Sequence, residues 1–134
     1  TYSSTAKTLV MAGAGFNTIA AIGSDVKSAL DWSKLVWDLD GDGASTGGVT
    51  FVAGDVTSAV VTSATVLTIT LTSNKAADME ATLGFGADGL GSTNTPDNID
   101  VTAGFSRDGS GNASTTDGGA NLTPGYSVIA LSQR

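Results

Sequence analysis

Three aspartates at alternate positions, Asp38, Asp40 and Asp42, run directly into Gly43. Carboxylates spaced this way on a tight loop bring several hard oxygens to one centre, and calcium takes about six to eight such ligands. Gly43 permits the sharp turn after the third acid. Three anions within one turn also repel one another, which favours a counter-cation. In the helix-loop-helix calcium pattern a Glu closes the loop at the twelfth position. Counted from Asp38 that position is Val49, so the shell has to be completed from elsewhere, with Asp88, Asp97 and Asp117 as candidates. The competing reading of the same residues is an exposed Asp-Gly hairpin loop that holds no ion. A second acidic turn, residues 108–112 (DGSGN), follows from turn chemistry alone, because Asp opens turns and Gly and Asn accept left-handed backbone.

Other chemistry is ruled out by what the chain lacks. It has no His and no Cys. Residues 43–47 (GASTG) match G-x-S-x-G, but a nucleophilic serine needs a base of the histidine kind, so no enzyme is expected. Residues 84–89 (GFGADG) match G-x-G-x-x-G, yet they follow a helical pattern and lead into a loop, the reverse of a dinucleotide-binding turn. Six Lys and Arg stand against 13 Asp and Glu, a formal charge of -7, and the basic residues are scattered. Nucleic acid, which needs clustered cations, is therefore not a partner. Trp32, Trp37, Phe51 and Phe85 offer a sugar-stacking platform, but their spacing suits a core better. Thr68, Thr70 and Thr72 read as the solvent side of one strand.

The elements that carry these residues are mostly strands. Twelve of the 13 acids are Asp, Gly numbers 18 of 134 residues, and Ser and Thr are abundant, which is a turn-and-strand composition. Strands are predicted at residues 7–14 (KTLVMAGA), 34–39 (KLVWDL), 49–52, 59–62, 65–73 (TVLTITLTS), 99–103 (IDVTA) and 126–131 (YSVIAL). Within residues 65–73, Leu67, Ile69 and Leu71 point one way and Thr68, Thr70 and Thr72 the other. Around the Asp loop, Leu35, Trp37 and Leu39 share one face, and Val36, Asp38 and Asp40 the other. Helices are predicted at residues 24–32, with Ser24 as cap and Val26, Ala29 and Leu30 as apolar face, and at residues 74–83. Thr1-Tyr2-Ser3 echoes Gly125-Tyr126-Ser127, as the boundary of a tandem repeat would. No apolar run approaches the roughly 18 residues of a membrane span. The start shows neither a basic n-region nor an apolar h-region, which reads as a processed chain or an excised domain.

Residues 57–117 include a long alternating strand, a short helical segment, then Val101-Thr102-x-Gly104 and the turn Asp108, Gly111, Asn112. With the opening Thr8-Leu9, Gly13, Gly15 and Phe16, this resembles the bacterial immunoglobulin-like domains of S-layer proteins and large secreted adhesins. The likeness covers residues 7–14 and 57–117, while residues 20–48 depart from the short form of that family. The resemblance implies a single domain over 1–134, all-β, an immunoglobulin-like two-sheet β-sandwich with two short helical insertions. It also implies a secreted or cell-surface structural module of an S-layer, filament or adhesin, rigidified by calcium and contacting neighbouring copies through the edge strands near its termini. The alternative is a carbohydrate-binding module facing cell-surface glycan, which requires exposed aromatic side chains.

Overall fold

A computed structural model describes residues 2–38, 48–81, 98–115, 117–123, 126–127 and 129–132. Its strands are β1 (Tyr2–Ser3), β2 (Thr8–Ala14), β3 (Leu35–Asp38), β4 (Val49–Thr50), β5 (Val56–Ser63), β6 (Val66–Leu71), β7 (Asn98–Val101), β8 (Asp117–Thr123), β9 (Tyr126–Ser127) and β10 (Ile129–Ser132). One α-helix, α1 (Ser73–Glu80), follows β6. One sheet runs β1-β2-β6-β5, with β10 also on β2, and the other runs β4-β3-β7-β8-β9. Every strand pair is antiparallel except β10 with β2, which is parallel.

Alternation builds the core. Leu9 and Met11 of β2, Leu67, Ile69 and Leu71 of β6, and Ala59 and Val61 of β5 are buried on one sheet. Leu35 and Trp37 of β3 and Ile99 and Val101 of β7 meet them from the other, in one hydrophobic cluster. The threonines of β6 alternate outward and are half-buried, as their period-2 spacing requires. Phe105, on the turn after β7, completes the core edge to face with Trp32, ring centroids 5.5 Å apart.

The two predicted helices fare differently. The second forms as α1, one residue earlier than read, because the Thr72 side chain accepts the Lys75 amide as N-cap. The first does not form. Residues 24–32 instead hold a 3-10 turn, Lys27–Ala29, with another at Trp32–Lys34. The Asp25 carboxylate explains this, since it accepts amides from both Lys27 and Ala59 (3.0 Å each) and so spends its first-turn position on a tertiary contact. Residues 23–26 run along β5 as an extra edge, with Gly23, Val26 and Val61 amides bonded across. That closes an edge strand which would otherwise offer free amides to another chain. Ser24 therefore caps no helix, and Ala29 is exposed while Val26 and Leu30 stay in the core.

Lys75 ties α1 to the second sheet. Its ammonium lies 4.5 Å from the Phe51 ring centre and 5.6 Å from that of Trp37, and 3.3 Å from the Asp55 carboxylate. At the opposite end of α1, Glu80 accepts from the Tyr2 hydroxyl and from Lys7 (3.1 Å), which pins β1. Among the described residues no helix is long and apolar enough to cross a membrane.

Candidate ion site

β3 and β7 are paired so that Val36 faces Asp100 and Asp38 faces Asn98. Directly opposed residues point to the same side of an antiparallel sheet, and so do residues two apart on one strand. Leu35, Trp37, Ile99 and Val101 take the core side, so Asp38 and Asp100 share the outer side as diagonal neighbours, about 7 Å apart by sheet geometry. Both carboxylates are nonetheless buried, Asp38 at 0% and Asp100 at 3% exposure. Residue 48 lies directly over this face. A Cβ built on Gly48 would stand 2.5 Å from Val36 Cγ1 and 2.7 Å from the Trp37 carbonyl oxygen. Only glycine lets the chain come back against β3 so closely.

Of the residues predicted to hold calcium, Asp38 thus ends β3 in a buried position. Asp40 and Asp42 lie outside the described residues, as do Asp88 and Asp97. Asp117 opens β8 and pairs with Val101, which brings it within one residue of Asp100 on the adjacent strand. Among the described residues no group of three acidic side chains converges. Asp100 was missed in the sequence reading. Its signal was present in the alternation of residues 99–103, which sets Ile99 and Val101 against it. What was not present is the pairing of β7 with β3. Carboxylates brought to one face repel when both are ionised, and a hard divalent cation is one kind of group that offsets such repulsion.

The second acidic turn is closed mainly by its own first residue, while the Gly109 amide also donates to the Thr18 carbonyl (2.7 Å) and Arg107 to the Gly111 carbonyl (3.0 Å). Asp108 accepts amides from Ser110 (2.9 Å) and Asn112 (2.8 Å), and the Asn112 side-chain amide as well (2.9 Å). These bonds, the Asn112 side chain first, hold its carboxyl below the usual range. Gly111, at φ +85°, supplies the left-handed step.

The aromatic residues offered for sugar stacking are core instead. Trp32 and Trp37 are 6% and 4% exposed and Phe51 is fully buried. Phe85 lies outside the described residues. An open hollow of about 390 Å³ is lined by Asp25, Lys27, Ser28 and Ala53, none of them aromatic. The two glycine motifs, 43–47 and 84–89, lie outside the described residues.

No family model, no curated protein and no solved structure matches this chain.

Proposed function

We propose that this chain is a structural module of a bacterial cell-surface or extracellular assembly, an immunoglobulin-like sandwich rigidified by calcium. The strand order supports the fold. Reading β1 to β8 as A, B, C, C′, D, E, F and G, the sheets run A-B-E-D and C′-C-F-G, the order of immunoglobulin-type sandwiches. The single observation that carries the calcium part is the burial of Asp38 and Asp100 on one sheet face, where β3 enters the Asp-rich loop. Asp38 and Asp100 would supply fixed oxygens from rigid strands. Asp40 and Asp42 would supply more from the loop. Charge compensation there ties the loop to β3 and β7, which stiffens one end of the sandwich.

The test is a thermal melt in EDTA and again in millimolar calcium, on the wild type, Asp40→Ala and Asp100→Asn. A ligand that binds only the folded state raises the midpoint. The expected result is a calcium-dependent rise in the wild type that both variants lose. An identical midpoint with and without calcium removes the ion from the reading. Light scattering at rising protein concentration tests assembly separately, and a strictly monomeric protein at every concentration removes that part.

A further inference from the structure

The chain has two tyrosines, and each opens the same pattern. Tyr2, Ser3, Ala6 and Thr8 recur as Tyr126, Ser127, Ala130 and Ser132, at identical spacing. The fold treats the two segments alike at their start and differently afterwards. Each Tyr-Ser pair forms a two-residue strand, β1 on β2 and β9 on β8, and the two strands lie against each other. Residues 129–132 form β10, parallel to β2, with Ala130 opposite Ala12 and Ser132 opposite Ala14. Residues 2–8 turn back on themselves, and β1 takes the neighbouring stretch of the same β2 edge, opposite Thr8 and Leu9. That turn carries a strained residue. Lys7 is the one non-glycine residue at positive φ among those described, at +58°, a conformation that L side chains rarely adopt.

From these observations we infer that residues 2–8 are an exchangeable strand, able to take in a second copy of this chain the place that residues 126–132 hold in their own. The inference rests on the assembly reading above and names its contact. In the exchanged arrangement Ala6 of one copy lies opposite Ala12 of the other, and Lys7 becomes extended and loses its strain. The exchange gives up the contact of Tyr2 and Lys7 with Glu80, which is the lock that holds β1 in place, draws Thr8 off Thr70, and displaces residues 129–132 of the accepting copy from their place on β2. Main-chain pairing along β2 carries the affinity, and the shared Tyr-Ser-x-x-Ala pattern carries the selectivity. Because the donated segment and the accepting edge are different surfaces of the chain, the contact is head to tail and, where it does not close into a ring, propagates into a chain of units.

The chain lacks cysteine, so single introduced thiols report contacts cleanly. Ala6, Ala12 and Ala53 are all exposed. Full-length Ala6→Cys protein is mixed with Ala12→Cys protein under mild oxidation, and separately with Ala53→Cys protein. The expected result is severalfold more 6–12 heterodimer than 6–53 heterodimer, and equal yields overturn the exchange. A second variant tests whether the segment fits. Val128→Ser, Ile129→Thr, Leu131→Lys and Ser132→Thr together write residues 2–8 into positions 126–132. Carrying Ala12→Cys and Ala130→Cys, this protein is expected to close its internal disulfide as fast as the otherwise unsubstituted chain does with the same two cysteines. Failure to close it overturns the exchange. Self-association of the unsubstituted protein with no preference for the 6–12 pair removes the exchange and leaves assembly standing. Absence of any association removes both.

Discussion

Replacing Asp55 with Asn should destabilise the protein more than removing the charge it pairs with. The Lys75 side chain is 7% exposed and its ammonium sits 3.3 Å from the Asp55 carboxylate, itself 24% exposed. At an effective dielectric of about 20, unit charges at that distance attract by roughly 5 kcal/mol. Much of this is returned when Asp55 loses its charge. The amide carbonyl still accepts from the ammonium, the half-wet carboxylate was never fully desolvated, and the faces of Phe51 and Trp37 remain. A net loss of about 2 kcal/mol is expected, below the range for breaking a fully buried pair. Asn can also keep the bond that Asp55 accepts from the Val52 amide (3.0 Å), so the loss reports charge and not capping. Lys75→Met instead replaces the buried cation with an apolar chain of similar length and should stay within about 1 kcal/mol of the wild type. At roughly 3 °C per kcal/mol for a chain this size, the midpoints should fall by about 6 °C and by no more than about 3 °C. The double variant should melt with Lys75→Met alone, since nothing is then left buried and unpaired. Urea titration or calorimetry on the four proteins reads this directly. If Lys75→Met costs as much as Asp55→Asn, the ion pair is a net source of stability and the desolvation argument is wrong.

Four further outcomes are expected. Glu80 is held below the ordinary glutamate value of 4.5 by the Tyr2 hydroxyl first and by Lys7 after it. A depressed folded-state value means that its contribution is present above about pH 4.5 and is lost as pH falls through the lower folded value. Melting points should therefore drop on that acid limb, and less steeply in Glu80→Gln. Burial first, then the Glu80 carboxylate, push the Tyr2 phenol well above its ordinary value of 10.0. Its contribution is present below pH 10 and lost above it, so tyrosinate absorbance should show Tyr2 titrating only with unfolding, and Tyr2→Phe should remove that alkaline loss. Thr72→Ala deletes the α1 N-cap and should cost about 1 kcal/mol, read by chemical denaturation. Asp25→Ala frees the Ala59 amide at the β5 edge, and amide hydrogen exchange should show that proton exchanging faster than its neighbours Ser58 and Val60.

How much was legible in the chain depends on the length scale of each signal. The alternation of residues 65–73 and 34–39 is a local pattern with period 2, and it placed Leu67, Ile69, Leu35 and Trp37 inward as found. The α1 helix was legible for the same reason. β8 was not, because residues 117–123 (DGGANLT) carry turn residues and no alternation, and only pairing with β7 makes them a strand. The helix expected at residues 24–32 failed because local spacing cannot weigh a carboxylate against a distant amide, here Asp25 against Ala59. Phe105 lies between the strand predicted at 99–103 and the turn predicted at 108–112, and only the folded chain makes it core.

By itself, the sequence determined the strand-rich class, the exclusion of histidine and cysteine chemistry, the acidic surface and the position of Asp38 on the outer face. Each of these follows from composition or from a period of two residues. Tertiary structure decided that Asp100 stands diagonal to Asp38, that both are buried, and that β1 and β10 share one edge of β2. These are outcomes of strand pairing across tens of residues, and the identities of Asp38 and Asp100 carry no mark of the register that brings them together.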